Sequence, residues 1–363
     1  MTPTASESTA VPGPVAADRA VKRERMLELL GRFGAESIVL RSHTAVAWYL
    51  DGARTHVSLA ADPVAAVVVR RDRDEVRVFA NEAERLLAEE LGEASGFDLV
   101  QVPWHDPLTP PGLAELDEAD AAADLRAARA SLLPGELARY RALCREVAEV
   151  LTDAATSADP HDSERDVAAR IAADLVARGI DPLVTLVAGR SRLGFRHPLP
   201  TGAALGDRAM LVACGRRHGL IANATRWVRW GGDVDREAER RIHQVEAEFF
   251  AGTRIGGTIG EAFAAGIGGY GAHGFDPEEW RRHHQGGAAG YAGRDPRGTA
   301  QVADRVQADQ AFAWNPTAPG VKVEDTVLVR TSGIEVLTVD RRWPTAQVNG
   351  IDRPIELHRV GSG

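Results

Sequence analysis

The sequence predicts an α+β protein in which a small N-terminal α/β domain is followed by a larger, strand-rich second domain. Three observations predict it. The chain has 363 residues with 44% apolar content, enough for one large or two ordinary domains with a substantial core. Helical and strand periodicities alternate as far as residue 102, and a Pro-rich stretch then gives way to an Ala/Asp-rich one from Asp106 to Arg129. Beyond it come two long helical patterns and a run of strands.

Residues 1–17, rich in Ser, Thr, Pro and Ala, show no apolar periodicity and are expected to be a disordered lead-in. From Arg19 to Phe33, Met26, Leu27, Leu29, Leu30 and Phe33 share one helical face, and Gly34 stops the helix. Strands are expected at Ser37–Leu40, Val46–Leu50, Ala65–Val69, Val76–Ala80 and Phe97–Val102, with a helix at Glu82–Leu91. Asp106–Arg129 reads as a linker or weak helix, and the boundary falls near Ser131, giving domains 18–130 and 131–363. Pro134–Asp153 and Ser163–Arg178 are helical, the second opening on a Ser cap and ending at Gly179. Strands follow at Leu183–Ala188, Ala209–Cys214, Leu220–Val228, Ala311–Asn315 and Thr326–Arg330, with helices at Arg236–Ala251 and Ile259–Ala265.

Composition excludes several classes. A net charge of −9 with mixed sign along the chain gives no electrostatic footprint for nucleic acid. No apolar run is long enough for a membrane span, and the N-terminus lacks the basic start and apolar core of an export signal, so the expected location is the cytoplasm. Cys144 and Cys214 are too few for a disulfide framework and read as small buried hydrophobes. Lys22 and Lys322 are the only lysines in an Arg-rich chain, a bias that, with abundant Ala and Gly, suggests a GC-rich bacterial genome.

Four segments carry the candidate chemistry. GFRHPLPTG places His197 before a Pro-rich turn, where it either handles protons or merely caps the turn. MLVACGRRHGLIANATRWV contains Asn223, Thr225 and Arg226. WRRHHQGGAAGYAGRD contains His283, His284, Gly287, Gly290 and Arg294. Its glycines can also form an anion-cradling turn, and Arg294 can pair on the surface with Asp295. AFAWNPTAPGVKVEDTVLVRTSGIEVLT contains Asn315 and Glu324.

In this order, and over nearly the whole chain, these segments resemble the aminopeptidase P, prolidase and creatinase family. The resemblance implies a creatinase-type α/β domain followed by a pita-bread domain. Metal-dependent members carry "D-x-G … G-Y-x-S-D-x-T-R", "H-x-x-x-H-x-x-G" and a final hairpin with two Glu residues. The five ligand positions here fall on Val212 or Ala213, Asn223, Gly287, Asn315 and Glu324, and only the last is acidic. A hard divalent ion needs anionic oxygens to offset its dehydration, so no metal and no other cofactor is expected. Creatinase, which has no metal, uses a His in the place of His197 as general acid/base, and its Gly-Arg-Glu resembles Gly293, Arg294 and Asp295. It differs in carrying a Glu near Thr225, so creatine itself is not implied.

The expectation that follows is metal-independent hydrolysis of a C–N bond, or related lyase or isomerase chemistry, on a small carboxylate-bearing molecule or short peptide. His197 would move the proton and His283 hydrogen-bond the reacting group, while Arg294 holds the carboxylate and Glu324 a cationic nitrogen. Asn223, Asn315 and Thr225 would line the substrate site. The alternatives are a non-catalytic binding module of the same fold and an atypical metallo-peptidase of the Xaa-Pro type. A homodimer is implied by the resemblance alone.

Overall fold

The structure is a computed structural model that describes residues 16–92, 96–231 and 236–359. The expected lead-in lies outside the described residues, apart from Ala16 and Ala17, which already open a helix. That helix, α1 (Ala16–Phe33), leads into β1 (Ser37–Leu40), α2 (His43–Tyr49), β2 (Ala65–Arg70), β3 (Asp74–Phe79), α3 (Ala83–Leu86), β4 (Asp98–Val102) and β5 (Leu116–Asp117). The five strands form one sheet in the order β4-β3-β2-β1-β5. A single π-helical turn, Leu87–Leu91, extends α3 over the segment expected to be helical.

Val46–Leu50, expected to be a strand, lies instead in α2 and its C-terminal cap. Ser42 accepts the Ala45 N–H at 3.1 Å and starts the helix. Residues Ala45 to Leu50 are all buried, so the run lacks the polar alternation that separates a short helix from a strand. The Asp106–Arg129 segment is also more ordered than a linker. It contributes β5, parallel to β1, and most of α4 (Ala122–Ala130).

Next come α5 (Pro134–Ser157), α6 (Glu164–Ala177), β6 (Asp181–Gly189), β7 (Arg208–Arg217) and β8 (Leu220–Trp230). Helices α7 (Glu237–Gly252) and α8 (Ile259–Ala272) pack together and precede β9 (Gly286–Ala289) and β10 (Gln310–Trp314). The chain finishes with β11 (Thr317–Ala318), β12 (Val321–Lys322), β13 (Val327–Arg330), β14 (Gly333–Val336), β15 (Thr345–Val348), β16 (Ile351–Pro354) and β17 (Leu357–Arg359).

Two four-stranded sheets, β17-β8-β7-β6 and β14-β13-β10-β9, form the frame of this part. They meet where Ala224 bridges Asp325 and the Thr225 N–H donates to the Glu324 carbonyl at 2.9 Å. That junction brings residues a hundred positions apart to one cavity. The main core runs without a break from Met26, Trp48 and Val67 through Tyr140 and Val147 to Leu211, Leu328 and Trp343. It therefore continues across the expected boundary near Ser131.

Candidate functional site

Strand alternation decides what the β7–β8 hairpin offers the cavity. Val212 pairs with Thr225 and Cys214 with Asn223. Val212, Cys214, Ile221 and Asn223 line the cavity, while Ala213 and Ala224 turn into the main core on the opposite face. Of the two candidates for the first ligand position, Val212 is the one that faces the site. Burial raises the Cys214 thiol to about 12, so it stays protonated.

His197 sits on the loop between β6 and β7. Neighbouring arginines hold that loop: Arg196 pairs with the buried Glu279 and donates to Thr317 Oγ1 at 3.1 Å, and Arg192 pairs with Glu164. His283 follows a short 3-10 turn, Glu279–Arg282. The buried Gln285 donates to the His283 carbonyl at 2.7 Å and accepts from Tyr270 at 2.7 Å, and its own carbonyl accepts the Asn315 N–H at 3.0 Å. The two imidazoles meet with Nε2 to Nε2 at 3.1 Å.

Burial, reinforced by Lys322 and the neighbouring rings, lowers His283 to about 3. His284 falls to about 4, through burial and then Arg294 and Arg297. His197 is lowered in the same direction by burial and Lys322. All three rings are therefore neutral at pH 7.

Glu324 is the other focus. It is 2% exposed, and its Oε1 accepts from Arg294 Nη2 at 2.6 Å and its Oε2 from Lys322 Nζ at 2.8 Å. Thr225 Oγ1 adds a bond to Oε2 at 3.2 Å, and the second arm of Arg294 reaches Asn223 Oδ1 at 3.2 Å. Burial alone would raise the Glu324 carboxyl, but the two cations hold it well below the usual carboxylate range. Asp295 does not pair with Arg294. It takes both arms of Arg129, at 2.5 and 2.6 Å, which pins the loop carrying Arg294.

The expected site residues His197, Asn223, Arg294, Asn315 and Glu324 all line one cavity of about 420 Å³, with His283 and Thr225 in contact behind it. Three participants were missed or left open by the sequence: Lys322, Arg297 and His284. Lys322 had a signal, because Lys322 and Glu324 stand two residues apart in an extended segment and so share a face. The Arg294 fork, expected to face a substrate carboxylate, is spent on Glu324 and Asn223. Glu324, expected to take a cationic nitrogen, is spent on two cations of its own chain.

The residues around Glu324 do not fit the divalent ions that the metal-dependent members of the resembling family hold. Both of its oxygens are taken, Val212 is apolar, and Gly287 has no room for an imidazole. A Cβ there would stand 2.5 Å from the Gly298 nitrogen and 2.6 Å from the Pro296 oxygen. His197, His283 and His284 have ring nitrogens within 4.8 Å of one another. The planes of His283 and His284 stack at 25° with centroids 4.4 Å apart. Lys322, Arg294 and Arg297 add positive charge around that cluster.

No protein-family model matches the chain, and no curated protein matches it. Solved structures do. The dipeptidase PepE from Mycobacterium ulcerans aligns with TM-score 0.74 at 16% identity over 96% of this chain and 100% of that one. The prolidase from Pyrococcus horikoshii aligns with TM-score 0.71 at 16% identity, covering 88% and 98%. The N-terminal domain of the FACT complex subunit SPT16 from chickpea aligns with TM-score 0.63 at 12% identity, covering 89% and 94%. The chain thus has the pita-bread fold seen in prolidases and related dipeptidases.

Proposed function

We propose that this protein is a hydrolase that cleaves a C–N bond in a small carboxylate-bearing molecule without a metal ion, with His197 as the proton-transfer group. The observation that carries this reading is His197, lining the cavity and backed by the buried His283, beside a carboxylate, Glu324, that side-chain cations compensate. A neutral His197 has a lone pair available at pH 7, and His283, held neutral, keeps it positioned through the 3.1 Å contact. Asn223 and Asn315 orient the reacting group by hydrogen bonds. Losing a Lewis acid costs several kcal/mol of transition-state stabilisation, which favours a substrate more activated than an ordinary peptide.

The experiment is turnover of a panel of amidino acids, N-acyl amino acids and dipeptides in the presence of a chelator. At least one should be hydrolysed, and His197→Ala should slow it by about 100-fold or more. Activity that disappears with chelator and returns with Mn²⁺ or Co²⁺ would instead establish an atypical metallo-peptidase.

A second reading, a non-catalytic binding module, is favoured by one observation: the fold is shared with a domain of a subunit of a multiprotein complex. Ligand binding with no turnover, unaffected by His197→Ala, would select it. The homodimer belongs to the same proposal and is read by light scattering.

A further inference from the structure

The cavity beside His197 carries the opposite charge to a cation site. Lys322, Arg294 and Arg297 line it together with Glu324, its one carboxylate, and the neutral imidazoles leave two positive charges uncompensated. This happens in a chain whose net charge is −9. Low-dielectric walls of Leu183, Val184, Leu186, Val212 and Ile221 confine that potential and strengthen it.

The three cations are not equivalent. Lys322 and Arg294 are committed to Glu324. Arg297 has no hydrogen-bond or ion-pair partner among the described residues, and it lines both this cavity and an adjoining one of about 930 Å³. It is therefore the cation available to an incoming ligand. A cationic nitrogen on a ligand has the reverse difficulty. Among the described residues Glu324 is the only carboxylate that lines the cavity; it is 2% exposed with both oxygens occupied, and a ligand amine would have to displace Lys322 or Arg294 and leave that cation unpaired.

We propose that this cavity selects small anions that carry no cationic nitrogen, with Arg297 anchoring the anionic group and the apolar wall holding the remainder. The class is the N-blocked amino acids and simple organic acids, as opposed to free-amine dipeptides or guanidino acids. This rests on the proposed hydrolase reading only for the identity of the site. The charge preference is a property of the cavity and holds for a binding module as well.

Isothermal titration of the full chain with four probes tests it: N-acetylleucine, leucine, N-acetylleucinamide and creatine. N-acetylleucine should bind at least tenfold more tightly than leucine or creatine, which carry a cationic nitrogen, and than N-acetylleucinamide, which lacks the carboxylate. Arg297→Ala removes no intramolecular ion pair and should fold normally while weakening N-acetylleucine at least tenfold. Lys322→Met leaves one oxygen of Glu324 without its cation, bonded by the Thr225 hydroxyl alone, and should narrow or reverse the preference against leucine. Leucine or creatine binding as well as N-acetylleucine overturns the proposal, as does an Arg297→Ala protein that binds N-acetylleucine with wild-type affinity, or no binding by any probe at millimolar concentration. Turnover of the wider panel of amidino acids, N-acyl amino acids and dipeptides is followed separately by mass spectrometry. The charge preference without hydrolysis sinks the hydrolase reading alone, and hydrolysis without the preference sinks this one alone.

Discussion

His283 shows how burial sets the chemistry of a single residue. It is 7% exposed, its Nδ1 has no partner among the described residues, and its pKa falls to about 3. The unfolded chain titrates this ring near 6.5. Between those values the unfolded state holds a proton that the folded state does not, so stability is complete above about 6.5 and falls as the pH drops. A full proton of difference is worth about 1.4 kcal/mol per pH unit. His283→Gln should therefore unfold in urea with a shallower pH dependence between pH 6.5 and 4, recovering about 1 to 2 kcal/mol of the acid loss by pH 5. A variant with the wild-type slope would show that the ring is protonated in the fold.

At this scale the candidate cavity was partly legible, because His197, Asn223, Arg294, Asn315 and Glu324, singled out in short motifs by a family resemblance, all line it. What Arg294 and Glu324 are bonded to was not. Their pairing with each other and with Lys322 depends on the meeting of two sheets, which no local pattern encodes.

Among the elements, β9 and the turn after it place the most constraint on the site. Gly286 and Gly287 have φ of 92° and 143°, and the Gly298 N–H folds back onto the Gly286 carbonyl at 2.8 Å. The backbone is packed so closely there that Gly287 faces main-chain atoms from Pro296 to Gly298. Gly290 also has a positive φ, 135°, but nothing lies within 4 Å of its Cβ direction.

The pair separates conformational strain from collision. Gly290→Ala should cost about 1 to 3 kcal/mol, the strain of an unfavourable φ. Gly287→Ala should cost more and shift the Arg294 loop, and thermal unfolding of both variants side by side checks the order. Equal losses would mean that the Gly287 turn relaxes freely. The sequence placed Gly287 at a ligand position of the resembling family, but its tight packing comes from a loop ten residues on and left no local mark. The same kind of gap explains α2, where an apolar run fitted strand and helix equally until the Ser42 cap and its burial on every side were known.

Over the whole molecule, the chain splits less sharply than its composition suggests. The Pro- and Ala-rich stretch before Ser131 reads as a boundary, yet the apolar core crosses it and a buried charge cluster sits at the crossing. Lys22 of α1, fully buried, bonds Asp51 at 2.7 Å and Glu136 of α5 at 3.0 Å, and Glu136 also accepts from Tyr291 at 2.7 Å. Arg126 and Arg129 of α4 add pairs to Asp304 and Asp295, so the site loop is braced from the N-terminal side.

Lys22 and Lys322 are the chain's only lysines, and both are compact charges buried against carboxylates. Removing the first with Lys22→Met leaves Asp51 and Glu136 buried without their cation and should cost about 3 to 5 kcal/mol. Because the core is continuous, that loss should appear across the chain as one unfolding transition moved to lower urea. Tryptophan fluorescence and hydrogen exchange at α1 and at β13 should shift together. If α1 loosens while β13 keeps its wild-type protection, the N-terminal sheet is an independent unit, and the arginine clamp alone couples it to the site.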